Sequence, residues 1–410
     1  MIGSIRFKDP SGPWKISELD DRIMVKRAPN EFSGDFYTIV PEGEYPGWTG
    51  GRIDVKRSPH GIDFNRAFPS HWRPHWQQVG AGPYPLAEPE IRAVAEFILA
   101  HPNIHGSLHH HTAIGAILRC SCSYPDSDMP SLDLRAYKAI GAIAEEMTGY
   151  RCISMFHENP LRREIPDHGT FFDWMFDQNG VFCFATELWG PFGEAIGWHW
   201  HDLMDPIFFR PESKDLDLLH LFDQRANGRG FTAWTPFDHP QFGPVEIGGW
   251  DRKFGQFNPP GPLLPDEIER VVPFAIAAMG TGPVLRIAGA NAERLYDDTW
   301  TVRVTVANDG FLPSYGSDTW LKTGQAEPVK ATLTFDGAGE LVPTTSAPTR
   351  TIGHLAGRVA NFTSFMPMAQ PADTGKGSAE WTVRAPTGTR LTIEAGSNRA
   401  GLQRIEIALE

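Results

Sequence analysis

Residues 170–188 read TFFDWMFDQNGVFCFATEL, and this stretch decides the fold class. Its first half, about 170–178, is a short helical pattern that stops at Asn179-Gly180, a pair suited to the left-handed turn that ends helices. Its second half, Val181 to Leu188, has the composition of a buried strand. The strand ends on a carboxylate, Glu187, and acids are rarely buried unless paired.

The pattern extends in both directions. Residues 86–100 place Ile91, Val94, Ala95, Ile98 and Leu99 on one helical stripe, closed by His101-Pro102. A strand is expected through 104–111, a helix over 131–148 with Ser131 or Asp133 as N-cap, and a β-rich piece over 151–156. Further helices are expected near 215–227 and 265–279, and residues 1–60 read as short strands and turns. This alternation is an α/β signature. From about residue 281 the character changes. The runs 300–306, 329–335, 379–383 and 390–394 alternate with period two between Gly, Pro and Asp turns, the pattern of an all-β sandwich. Two units are therefore expected, 1–280 and 281–410, meeting at the Gly-Thr-Gly-Pro of 280–283.

Composition narrows the function. The 410 residues carry a formal net charge of −13, which argues against a nucleic-acid partner because phosphate binding needs clustered Lys and Arg. No apolar run is long enough to span a membrane. The four cysteines, Cys120, Cys122, Cys152 and Cys183, are too few for a disulfide scaffold and read as buried or unreactive thiols. The first residues lack the apolar core of a signal peptide, which gives a cytoplasmic expectation.

Three segments carry candidate chemistry. Asn65-Arg66 sits in a Gly/Pro-bounded loop, where a guanidinium either ties down the loop or holds a carboxylate through two parallel hydrogen bonds. His109-His110-His111 runs along the expected strand; alternate residues face opposite sides, so at most two serve one site. His111, at the strand end, is a candidate zinc ligand or an ordinary strand histidine. Glu187 is either an ion-paired structural acid or a general base with a shifted pKa.

In this order the three segments resemble the zinc metallocarboxypeptidase family, the carboxypeptidase A-like enzymes. The matching stretches are Gly61-Ile-Asp-Phe-Asn65-Arg66-Ala-Phe, His111-Thr112, and Asp173-Trp174 followed by Ala185-Thr-Glu187-Leu188. The resemblance covers roughly residues 1–280; the β-rich remainder is a looser match to an accessory sandwich of bacterial members. It implies a mixed sheet with flanking helices, a zinc cofactor and a peptide C-terminus as substrate. It assigns the terminal carboxylate to Asn65 and Arg66, one metal bond to His111 and the general base to Glu187. Phe172 stands where an acid would select basic C-terminal residues, so the resemblance points to apolar or small ones.

The match has gaps. The family's other two zinc ligands come from a His-x-x-Glu motif upstream of the Asn-Arg pair, and none occurs here. The sequence therefore reads as incomplete at its N-terminus, with any export signal upstream, and a shortened sheet should leave an edge and apolar faces uncovered. The sandwich should then be the sturdier part. A metal site rebuilt from His109, His199 or His201 is a further reading, the last two in the run Trp198 to Asp202. A substrate-covering Tyr is missing near Glu164-Ile165, where His168 is a weak substitute, and Arg52 and Arg57 are candidates for an oxyanion-stabilising Arg. Two alternatives stay open: a non-catalytic peptide-binding homologue, and an amidase or deacylase acting on acylated amino acids.

Overall fold

The computed structural model describes residues 3–49, 61–158, 166–190, 211–360 and 374–410. Four short strands come first: β1 (Ser4–Lys8), β2 (Trp14–Ile16), β3 (Met24–Lys26) and β4 (Tyr37–Pro41). The α/β region follows with α1 (Pro89–Leu99), β5 (Gly106–Thr112), β6 (Ala116–Arg119), α2 (Ser131–Thr148) and β7 (Arg151–Ser154). It continues through the single turn α3 (Met155–Glu158), α4 (Phe171–Asn179) and β8 (Phe182–Leu188). Beyond these lie α5 (Glu212–Arg225), the hairpin β9 (Phe231–His239) and β10 (Gly243–Trp250), and α6 (Leu264–Met279).

The opening stretch folds as its pattern predicts. Thr170 caps α4 by accepting from the Asp173 N–H, and Gly180 ends the helix at φ 62°. The chain turns directly into β8, a middle strand of a mixed sheet ordered β5-β8-β6-β7. β8 runs parallel to β5 and antiparallel to β6. One face of β8 carries Phe182 and Phe184, whose rings meet Tyr137 of α2 at 5.0 and 5.2 Å. Tyr137, Phe176 and Phe274 are almost wholly buried beside them, each contributing about 1.5–3 kcal/mol of burial. The opposite face bears Ala185 and the candidate residue Glu187.

Three expectations are corrected. Neither Ser131 nor Asp133 caps α2: the N-cap is Pro130, without a side-chain hydrogen bond. Asp133 is buried and turned toward the C-terminal region instead. The β-rich piece at 151–156 is strand only to Ser154 and then turns into α3. The stripe on α1 is narrower than its pattern, since Ile91 and Ala95 are buried while Val94 and Leu99 are exposed. On α6, Leu264, Ile268, Val272 and Ile276 are exposed at intervals of one helical turn, and β5 lies at the edge of its sheet.

The strands of residues 3–41 do not extend the mixed sheet. They form a six-stranded antiparallel sheet with the hairpin, ordered β3-β2-β4-β1-β10-β9. Its small core joins Ile5, Val40 and Val245, with Phe7 stacked on Phe242 at 5.0 Å.

The C-terminal region comprises β11 (Leu285–Tyr296), β12 (Thr299–Asn308), the short helix α7 (Asp318–Lys322), β13 (Val329–Asp336), β14 (Glu340–Leu341), β15 (Thr349–Gly353), β16 (Lys376–Arg384), β17 (Arg390–Ser397) and β18 (Gly401–Ala408). Two antiparallel sheets, ordered β11-β12-β16-β14 and β15-β13-β17-β18, enclose one sandwich-like core. Period-two alternation drives it: Trp300, Val302, Val304 and Val306 of β12 are fully buried, as are Leu391, Ile393 and Ala395 of β17. The buried indoles keep their hydrogen bonds, Trp300 donating to the Ala385 carbonyl at 3.0 Å and Trp381 to that of Pro348 at 2.9 Å.

Candidate functional site

The Asn65-Arg66 segment is built as a single 3-10 turn, Phe64–Arg66, capped by the Asp63 side chain accepting from the Asn65 N–H. The Asn65 side-chain carbonyl accepts the Phe171 N–H at 2.8 Å, which ties the turn to the start of α4. Phe68 stacks on Trp174 at 5.3 Å and meets Phe171 edge-on at 5.0 Å. Gly169 completes the join. Its φ is 67°, and a Cβ there would lie 2.4 Å from the Arg66 carbonyl oxygen, so only glycine fits.

Arg66 is held from several sides. Nη1 donates to the Asn65 carbonyl at 2.8 Å, and Nη2 lies 3.3 Å from the buried Asp167 carboxylate. Asp63 stands 3.8 Å away, and Nε is buried without a hydrogen-bond partner among the described residues. The sequence reading misses Asp63, although it sits within the quoted motif. It also misses Asp167, which lies far along the chain and carries no local signal.

Sheet register brings the other candidates together. His111 of β5 is the direct partner of Glu187 on β8, so both side chains rise from one face of the sheet. His109, two residues before, shares that face, and its Nδ1 lies 2.7 Å from His111 Nε2. His110 points the other way, to the Thr186 hydroxyl. Phe171 covers His109 with ring centroids 5.2 Å apart, and the buried Phe172 lies at 5.5 Å.

Burial governs the electrostatics here. Desolvation raises the Glu187 carboxyl to about 7. It lowers His109 to about 3, assisted by the neighbouring His111 and His110. His111 is lowered by desolvation and then by the charge of Arg66, which sets the guanidinium within electrostatic reach of the imidazole. Asp173 is fully buried and accepts the Cys122 N–H and the Ser123 hydroxyl; desolvation and the nearby Asp177 push its carboxyl up. The Asp173-Trp174 pair is therefore architectural: it anchors the turn after β6 and packs against Phe68.

These shifts predict a pH profile. Between pH 4.5 and 7, folded Glu187 keeps a proton that the unfolded chain releases, so its contribution falls as pH rises. Between pH 6.5 and 3, folded His109 refuses a proton that the unfolded chain accepts, so its contribution falls as pH drops. The two slopes oppose each other from pH 4.5 to 6.5. Glu187→Gln removes the first slope alone, so its stability relative to the unsubstituted chain should fall by about 1.4 kcal/mol per unit of acidification from pH 7 to 4.5. Urea midpoints of both proteins test this; parallel profiles would contradict it.

A catalytic zinc takes three protein ligands. Among the described residues no three His, Cys, Asp or Glu side chains come together as a metal site. His109 Nδ1 and His111 Nε2 face each other rather than a common point. The described residues do not make a zinc site by themselves. The run Trp198 to Asp202, with His199 and His201, lies outside the described residues, as do Arg52, Arg57, Glu164 and Ile165. His168 places Nδ1 3.3 Å from the Ser123 hydroxyl, beside Asp167. The cysteines are all free; Cys120, Cys122 and Cys183 are buried, and burial pushes all four thiols up.

Comparison with known proteins places these features. Residues 284–408 match a family described as Domain of unknown function (DUF8731). Carboxypeptidase A6 of Homo sapiens and that of Mus musculus are each 28% identical over 179 residues, covering 37% of this chain and 39% of theirs. The chain thus spans about two fifths of the length of these relatives. The crystal structure of thrombin activatable fibrinolysis inhibitor is 24% identical, covers 33% of this chain and 36% of that one, and has a TM-score of 0.27. Residues 35–203 match the family model described as zinc carboxypeptidase, so this segment is similar to that family.

Proposed function

We propose that the site recognises the free carboxylate at the C-terminus of a peptide and presents Glu187 as a base toward the last peptide bond. The observation that carries this reading is the register pairing of His111 with Glu187, with the charge of Arg66 acting on the same imidazole. Arg66 supplies a forked cation whose Nε has no protein partner among the described residues. Asn65 spends its carbonyl on Phe171 and keeps its amide hydrogens as donors. A carboxyl raised to about 7 is half ionised near neutrality, the range in which a general base accepts a proton and returns it to a leaving amine.

In the family, bound zinc polarises the scissile carbonyl and activates water. The described residues do not complete that donor set, so they are assigned recognition and proton handling, and no hydrolytic step is derived from them. Calorimetry with N-acetyl-Ala-Ala-Phe as free acid and as C-terminal amide tests the assignment. The acid should bind at least about tenfold tighter, the worth of one charge-assisted hydrogen-bonded pair. Equal affinities would reject the reading. Release of phenylalanine when zinc is added would extend it to a working carboxypeptidase.

A further inference from the structure

The far end of α4 is held by the C-terminal sandwich. Arg399, in the turn between β17 and β18, donates from Nη1 to the Gly180 carbonyl at 2.7 Å and from Nη2 to the Asn179 carbonyl. These carbonyls end α4, where the helix dipole is negative and a cation is favoured. Burial lowers the guanidinium to about 10. Its guanidinium carbon also lies 5.7 Å from the Trp320 ring centre.

The surrounding backbone is shaped for this contact. A Cβ on Gly180 would lie 2.3 Å from Trp320 Cβ, and a Cβ on Gly316 would lie 2.1 Å from Arg399 Nη1. A second bond set fixes α7. Asp133 of α2 accepts the Asp318 and Thr319 N–H groups, each at 2.8 Å, and the Thr319 hydroxyl at the same distance. That is what Asp133 does in place of capping its own helix. Leu312 and Val359, from the C-terminal region, are buried within the core of the α/β region.

The opposite end of α4 meets the site: Phe171 donates to Asn65, and Asp173 holds the turn after β6. Nine helical residues span about 13 Å. We propose that the C-terminal sandwich serves as a brace for the site, with Arg399 a positioning residue that fixes α4 and, through Phe171, the Asn65–Arg66 turn. The positioning half of this inference rests on the carboxylate reading above.

The full chain is compared with Arg399→Met and Arg399→Lys in two assays. The first is amide hydrogen exchange of residues 171–181, with β12 and β17 as internal controls. The second is affinity for N-acetyl-Ala-Ala-Phe as free acid and as amide. With methionine, exchange across α4 should quicken about tenfold while the control strands keep their protection, and free-acid affinity should fall about tenfold with amide affinity unchanged. Lysine should restore most of both. Unchanged α4 exchange in the methionine variant, or no rescue by lysine, overturns the brace. Faster exchange with unchanged acid affinity overturns the positioning role. If the unsubstituted chain fails to separate acid from amide, the carboxylate reading fails and the exchange data alone decide the brace. Should the methionine variant not fold, Arg399→Gln, which still donates to one carbonyl, is read in the same assays.

Discussion

Arg66→Ala is expected to abolish the preference for a free peptide carboxylate over its amide and to destabilise the fold at the same time. The binding loss follows from the bond type. Charge-assisted hydrogen bonds contribute about 1.5–3 kcal/mol, so acid affinity should drop roughly ten- to a hundredfold while amide affinity stays level. The stability loss has a separate cause. Asp167 is 5% exposed and lies 3.3 Å from the Arg66 guanidinium. Removing one partner of a buried ion pair costs up to about 3–5 kcal/mol, and the buried Asp167 carboxylate would lose this bond. Arg66→Lys separates the two effects: the ammonium keeps the charge near Asp167 but cannot make the fork. It should retain much of the stability and little of the acid preference. An alanine variant with undiminished acid preference would remove Arg66 from the site.

Gly180→Ala is the second large effect. Gly180 sits at φ 62°, in the left-handed region, and a Cβ would meet Trp320 Cβ at 2.3 Å. The backbone conformation alone costs about 1 kcal/mol for a non-glycine residue. The clash falls on a Cβ, which no rotamer change can move, so α7 must shift and both carbonyl bonds to Arg399 loosen. A total loss above about 3 kcal/mol is expected, read as a lower urea midpoint. A melting profile equal to that of the unsubstituted chain would mean that α7 yields freely. Gly149 gives a matched control: it also ends a helix at positive φ, but nothing lies within 4 Å of its Cβ position.

Parts of the candidate site were legible because they are local. Asn65 and Arg66 sit in a motif whose Asp63 caps its own turn. Glu187 was conspicuous as a carboxylate at the end of an apolar strand, and burial does raise its pKa. What was illegible involves partners far apart in the chain. Asp167 has no pattern linking it to Arg66. Asp133 looked like an N-cap because it stands in a first helical turn, yet Pro130 takes that place, and Asp133 instead accepts the first two N–H groups of α7, whose own N-cap is Ser317. The pairing of β1 with β10 left no trace in either strand.

By itself, the sequence determined the helices near 131–148 and 170–178, the strands near 104–111 and 181–188 and the alternating runs of the C-terminal region, because periods of 3.6 and 2.0 are properties of a single segment's backbone. It also determined the three motifs and the absence of His-x-x-Glu. The tertiary structure alone decided that His111 and Glu187 share a register, that the first strands join a distant hairpin, and that the sandwich grips the end of α4. Those outcomes depend on which surfaces bury one another and which buried charges find partners, and such choices are made between segments that no local pattern connects.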